Sequence, residues 1–237
     1  MKNVVVVGAS SGVGEALVQA YSDCNCQVIA IARRVELIPR KKNIFPIAFD
    51  VTNYDSIKST MAAIVKEYGK INTVIYCAGM QYISPLRTSK IDKVVEVFNV
   101  NFFGAYFFLG SFSSKKICAD DNPSFIVVSS IAGQKPEAGI LAYSASKAAL
   151  ESMVRGAAIE LAPIRINAVA PGFMETQMTQ NWPAVYSSEF VQALDEETPL
   201  GLTVVLDVVK VVEFLASDSS AKITGEIIAV DGGSRLL

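Results

Sequence analysis

The chain has 237 residues, 51% of them hydrophobic and 19% charged, which is long enough to bury a large core and too apolar for disorder. Its formal net charge of −2 argues against a nucleic-acid partner. It contains no histidine, so any proton transfer near neutral pH falls to a carboxylate, a tyrosine, a lysine or a cysteine.

In chain order, the first element is the β-branched run Asn3–Val7, a strand buried on both faces. A helix over Gly12–Asp23 follows, then strands over Gln27–Ala32 and Ile44–Phe49. Next come a helix over Asn53–Tyr68, a strand over Asn72–Tyr76 and a long Phe-rich helix over Lys90–Phe112. The strand Ser124–Val128, the helix Tyr143–Leu161 and the strand Arg165–Val169 continue the alternation. A helix over Val204–Ser217 and a strand over Glu226–Val230 complete it. This pattern predicts one α/β domain over 1–237, a doubly wound parallel sheet of about seven strands with helices on both faces. Only the polar stretch 175–198, with Pro183 inside it, interrupts the alternation, and it is a candidate substrate lid.

The opening apolar run stops at Gly8, too short for a signal peptide, and the oily stretch Val100–Phe112 falls short of about 18 residues. No membrane association and a cytoplasmic location are therefore expected. Cys24, Cys26, Cys77 and Cys118 lack metal-ligand spacing, so no metal site is expected and the thiols are read as free and mostly buried.

The first strand runs into Gly8-Ala9-Ser10-Ser11-Gly12-Val13-Gly14. Glycines there let the backbone approach a ligand, and the helix N-terminus beyond offers amides to a pyrophosphate. The second strand ends Ala32-Arg33-Arg34, where a site for NAD(H) would place an acid against the ribose 2′-hydroxyl. Guanidiniums suit a 2′-phosphate instead, so NADP(H) is favoured over NAD(H). Downstream, Tyr143 and Lys147 share one helix face, with Ser130 shortly before them. An ammonium beside a phenol lowers its pKa, which makes an acid/base without histidine.

In order, Gly8-x3-Gly12-x-Gly14, Asp50-Val51, Cys77-Ala78-Gly79, Asn101, Ser130, Tyr143-x3-Lys147, Asn167-x3-Pro171-Gly172 and Val230-Asp231-Gly232-Gly233 span nearly the whole chain. The sequence resembles the short-chain dehydrogenase/reductases in their single-domain, Rossmann-like form. The resemblance implies hydride transfer between a nicotinamide and a small carbonyl or alcohol. Asp50 and Val51 would border the adenine; Cys77, Ala78 and Gly79 would follow the ribose. Pro171, Gly172 and Thr176 would line the nicotinamide. Ser130 would bond the substrate oxygen, Tyr143 would move the proton, Lys147 would tune it and bond the ribose, and Asn101 would hold a water on a proton path.

Three positions depart from the family pattern: Val7 for a threonine, Tyr76-Cys77 for two asparagines, and Asn72 for an acid. Each removes a polar tether, at an expected cost in stability or cofactor affinity. The substrate pocket is expected at Gln81, Tyr82, Ile131 to Gln134, Ile140, Phe173, Met174, Trp182 and Tyr186. Reduction of 3-oxoacyl groups on an acidic acyl carrier protein is the alternative activity, for which Lys115, Lys116 and Arg165 are the nearby cations. A non-enzymatic NADP-sensing protein is the alternative of another class. A homotetramer or dimer is expected through Lys90–Phe112 and Tyr143–Leu161.

Overall fold

The computed structural model describes residues 2–237. Its strands are β1 (Asn3–Val7), β2 (Gln27–Ala32), β3 (Ile44–Ala48), β4 (Thr73–Tyr76), β5 (Ser124–Val128), β6 (Arg165–Pro171) and β7 (Ile227–Val230). All pairings are parallel, and the order is β3-β2-β1-β4-β5-β6-β7. The order reverses between β1 and β4, so their crossovers leave on opposite sides and open a cleft above their carboxyl ends. Pro46 lies on β3, which is an edge strand and needs no second set of amide bonds.

Alternation along the strands builds two cores. Val5 and Val7 face α2 (Tyr54–Tyr68), through Ile57, Met61 and Ile64, and α5 (Leu141–Glu160), through Leu150 and Val154. Val4 and Val6 face α1 (Gly12–Asp23), through Leu17 and Val18, and α8 (Val205–Ala216), through Val208, Val212 and Leu215. A helix of period 3.6 covers each with a single apolar stripe.

The long Phe-rich helix is not uniform. It runs as α3 (Ile91–Phe98), a π-turn at Asn99–Phe103 and α4 (Gly104–Phe112). As a continuous unit of 22 residues it is long and apolar enough to cross a membrane, beyond the length the sequence reading allowed. Here Phe108 and Phe112 are fully buried against the sheet. The stretch 175–198 holds two helices, α6 (Gln177–Gln180) and α7 (Ser188–Glu197). Contrary to expectation, the thiols are not mostly buried: Cys24 is exposed, Cys26 and Cys77 are half-buried, and only Cys118 is buried.

Candidate active site

The cleft above β1 and β4 encloses a cavity of about 250 Å³. Gly8 takes φ +89°, and a Cβ there would stand 2.5 Å from the Ala78 amide nitrogen. A Cβ on Gly14 would collide with the Gly8 carbonyl. Glycine at both points lets the β1 loop, the β4 loop and α1 close together. Ser11, at the N-cap of α1, makes no side-chain bond to the first-turn amides. Those amides are uncapped where Ser10, Ser11, Gly12, Val13 and Gly14 line the cavity, an arrangement that fits a pyrophosphate.

Beyond the end of β2, Arg33 and Arg34 line the same cavity, with Asp50 and Val51 beside them after β3. The Asp50 carboxylate accepts from the Thr52 amide at 2.9 Å and its hydroxyl at 2.8 Å; the amide bond, with help from the hydroxyl and nearby Arg33, holds its pKa low. Arg33 only approaches Asp50, at 3.9 Å, and its side chain is 72% exposed, so its guanidinium is free to bind. Arg34 reaches Gln177 on α6, at 3.5 Å. Three strand spacings, roughly 14 Å, separate β2 from β5, where the reactive groups lie.

There, Tyr143 and Lys147 project from α5, and Ser130 follows β5. All three line the cavity with Cys77, Ala78, Gly79, Pro171, Gly172 and Thr176. Lys147 is buried, and its ammonium donates to the Val128 carbonyl at 2.9 Å and lies 5.5 Å from the Tyr143 ring centroid. Desolvation lowers its pKa to about 8. Desolvation also pushes Tyr143 up to about 12, against a smaller downward pull from Ser130 and a further push from the Tyr186 phenol. In the cofactor-free protein the phenol is thus held protonated, where the sequence had suggested that the neighbouring lysine brings it down. The Ser130 oxygen accepts from the Ala132 amide at 3.2 Å, and its hydroxyl is placed to donate toward the Tyr143 phenol oxygen. Burial pushes the Cys77 thiol up to about 12, which fits inert packing.

Asn101 does not line the cavity. The π-turn carries it inward, fully buried. Its Oδ1 accepts from the Met80 amide at 2.8 Å, and its Nδ2 donates to the Met80 carbonyl at 3.0 Å and to Ser146 Oγ at 2.9 Å. The amide thus fastens the β4 loop to α5, and only one lone pair is left for a water.

Two departures prove to carry their own tethers. The Tyr76 hydroxyl donates to the Val100 carbonyl at 2.6 Å, inside the π-turn, and Gly104 leaves room for it. Asn72 accepts from the Asn3 amide at 2.8 Å. At Val7 the backbone alone shapes the turn, with Gly8 and Ala9 both donating to the Ile31 carbonyl.

Sequence reasoning missed Glu151, buried one turn past Lys147. It accepts from Ser129 Oγ at 3.2 Å and Gln134 Nε2 at 3.1 Å. An ionisable residue on the sheet side of α5 was the available signal.

A second cavity, about 190 Å³, adjoins Ser130 and Tyr143 and reaches the 175–198 stretch. Gln81, Ile131, Ala132, Ile140, Phe173, Met174 and Tyr186 line it as expected, whereas Tyr82, Gly133, Gln134 and Trp182 do not. Tyr82 instead accepts from the Lys90 amide.

A pre-formed dinucleotide cleft meeting a half-buried tyrosine and a buried lysine defines a nicotinamide-dependent oxidoreductase. Comparison with known proteins agrees. The family profile described as Enoyl-(Acyl carrier protein) reductase matches residues 8–235. The chain belongs to the short-chain dehydrogenase/reductase family and is an oxidoreductase of CH–OH and C=O groups. It is 33% identical to the 3-oxoacyl-[acyl-carrier-protein] reductase FabG of Thermotoga maritima, over 98% of this chain and 97% of that one. The ligand-free aldohexose dehydrogenase of Thermoplasma acidophilum superposes with a TM-score of 0.91 at 28% identity, covering 100% of this chain and 94% of that one. ElxO with NADP bound has a TM-score of 0.87 at 26% identity, covering 100% and 99%.

Proposed function

We propose that this oxidoreductase uses NADP(H) to interconvert a small carbonyl compound and its alcohol. The carrying observation is one continuous cavity lined both by the Arg33 and Arg34 guanidiniums and by Ser130, Tyr143 and Lys147. A 2′-phosphate would meet Arg33 and Arg34, the pyrophosphate the Gly8–Gly14 loop, and the ribose Lys147. When bound, the nicotinamide supplies or takes up the hydride. Ser130 turns its hydroxyl hydrogen to the substrate oxygen, and Tyr143, held protonated by desolvation, donates its proton to the same oxygen as charge develops. Lys147 keeps positive charge beside the phenol, and Asn101 and Glu151 hold the surrounding loops. The 175–198 stretch serves as the lid over the substrate.

Tyr143→Phe should lower turnover by about 10²–10⁴-fold and leave NADPH affinity nearly unchanged. Turnover within a few-fold of the parent rejects the assignment.

Reduction of carrier-bound acyl groups is the second reading, favoured by the similarity to the Thermotoga maritima reductase. The cations considered for it are poorly placed. Arg165 is buried, with its guanidinium spent on Asn122, Leu215 and Ser220. Lys115 and Lys116 precede β5, at the amino end of the sheet and away from the cavity. Turnover of acetoacetyl-carrier protein without turnover of free ketones would reverse the order. Self-association through the outer faces of α3–α4 and α5 is part of the proposal: Phe103, Tyr106 and Phe107 are exposed, and Gly110 and Gly156 have open space before them. A monomeric mass in light scattering refutes it.

A further inference from the structure

The substrate cavity joins one reacting polar end to an aromatic wall. Ser130 and Tyr143 line it together with Phe173, Tyr186 and Phe190, and with Met174, Leu194 and Leu202. The rings of Phe173 and Tyr186 lie 5.2 Å apart between centroids, those of Tyr186 and Phe190 5.9 Å, and those of Phe173 and Phe190 6.1 Å. Their planes are inclined to one another by 58°, 48° and 74°, so the cluster is a cup of tilted rings rather than a closed stack. None of these apolar side chains is buried in the ligand-free protein: Phe190 is 42% exposed and the others are half-buried. Apolar surface left open beside a reacting tyrosine is stabilised by an apolar ligand that covers it.

The polar side chains of the same wall are spent on the protein. Thr198 donates to the Leu194 carbonyl at 2.7 Å, and Thr203 to the Val230 carbonyl at 2.9 Å. Asp231 accepts from the Gly233 and Arg235 amides. Gln81 Nε2 donates to the Tyr186 hydroxyl at 2.8 Å, a bond that fixes the ring, while Gln81 Oε1 and Ser234 Oγ are fully buried and closed to a ligand. Lys135 and Glu137 are exposed. A substrate with several hydroxyls would give up water here and find few partners, which is costly. Size narrows the choice further. The cavity of about 190 Å³ is smaller than the roughly 300–1,000 Å³ common for ligand pockets, yet an apolar cavity of about 150 Å³ takes up benzene. One ring with a carbonyl group attached fits that space.

We propose that Phe173, Tyr186 and Phe190 form an aromatic recognition site, and that the substrate is a compact aromatic aldehyde or ketone, or the matching alcohol. Its ring lies in the cup and its oxygen meets Ser130 and Tyr143. This deepens the carbonyl-reductase reading and rests on it. Phe190 belongs to α7 and Tyr186 precedes it, so the lid itself reads the ring. A linear aliphatic chain would also cover apolar surface, but it would lack the ring-to-ring contacts that add to burial.

The experiment measures kcat/KM with NADPH for benzaldehyde, hexanal and glyceraldehyde. Parent, Phe190→Leu and Phe173→Leu/Phe190→Leu are compared; leucine keeps the wall apolar and removes the rings, and the single change falls on a partly exposed position that the fold tolerates more easily. Intrinsic carbonyl reactivity cancels when the benzaldehyde-to-hexanal ratio is compared between proteins. That ratio should fall by about 3–10-fold in the double variant, through loss on benzaldehyde, and by a smaller factor in Phe190→Leu. The benzaldehyde-to-glyceraldehyde ratio should fall as well. Unchanged ratios, or turnover of hexanal or glyceraldehyde without turnover of benzaldehyde, overturn the inference and leave the carbonyl-reductase reading standing. If the folded parent reduces no carbonyl, that reading fails, and calorimetric binding of benzyl alcohol, 1-hexanol and glycerol to the NADP-loaded proteins decides the inference. A preference for benzyl alcohol that the double variant loses supports it; equal preference in parent and variant, or no binding of benzyl alcohol to the parent, overturns it.

Discussion

Lys147 carries its charge in a buried place, and this makes the stability of the protein depend on pH in a calculable way. The ammonium is 4% exposed and its pKa falls from the ordinary 10.5 to about 8. Between those values the unfolded chain binds more protons than the folded one, so stability rises with pH across that window. At 1.36 kcal/mol per pH unit, keeping the charge at pH 7 costs about 3 kcal/mol relative to the unfolded chain, and at pH 10 about 1 kcal/mol. Lys147→Met removes the titrating group and leaves the rest of the fold in common. Urea unfolding of both cofactor-free proteins at pH 7, 8, 9 and 10 should show parent stability gaining about 2 kcal/mol on the variant over that range. The lost bond to the Val128 carbonyl shifts the difference by a constant and leaves its slope unaffected. A difference that stays flat from pH 7 to 10 refutes the argument, because it would mean that the ammonium is not desolvated. The variant should have lost nearly all reductase activity, so a functional group would here be held at the expense of stability.

Replacing Arg33 with Ala should weaken NADPH by about tenfold or more and leave NADH within a few-fold, as read by fluorescence titration; equal losses for both cofactors would remove Arg33 from the 2′-phosphate. Tyr76→Phe deletes the hydroxyl that holds the π-turn and should cost about 1–2 kcal/mol in urea unfolding, since the Val100 carbonyl is left without its side-chain partner. Its turnover should fall too, because the same turn carries Asn101.

Elements whose signal is local were legible in the sequence, and contacts between distant elements were not. β1 reads directly from Asn3–Val7, since a strand buried on both faces must be apolar at every position. The loop from Gly8 to Gly14 reads from its glycines because sterics, not packing, dictate them there. The break in the long helix did not read. Nothing in Asn99–Phe103 departs from helical chemistry, and the π-turn is held by a phenol from β4. The C-terminal end of β6 was misplaced for a related reason, though its start at Arg165 read correctly: Ala170 and Pro171 pair with β7, a strand far away in the chain. Arg165 looked like a surface cation because the sequence does not show that Asn122, Leu215 and Ser220 converge on it.

The position of Tyr76 shows why motif departures cannot be scored one residue at a time. By its family pattern the chain lacks an asparagine there, and a lost tether is the natural expectation. The tyrosine reaches farther than an asparagine and bonds the π-turn, but only because position 104 is glycine; a Cβ there would collide with the phenol oxygen. The two residues therefore form one device, split between β4 and α4. Gly104→Ala should accordingly be as damaging as Tyr76→Phe. The double variant Tyr76→Phe/Gly104→Ala should be less damaged than the sum of the two, because removing the hydroxyl relieves the collision. Urea unfolding of the four proteins measures that coupling, and strict additivity would show that the pair is not a unit.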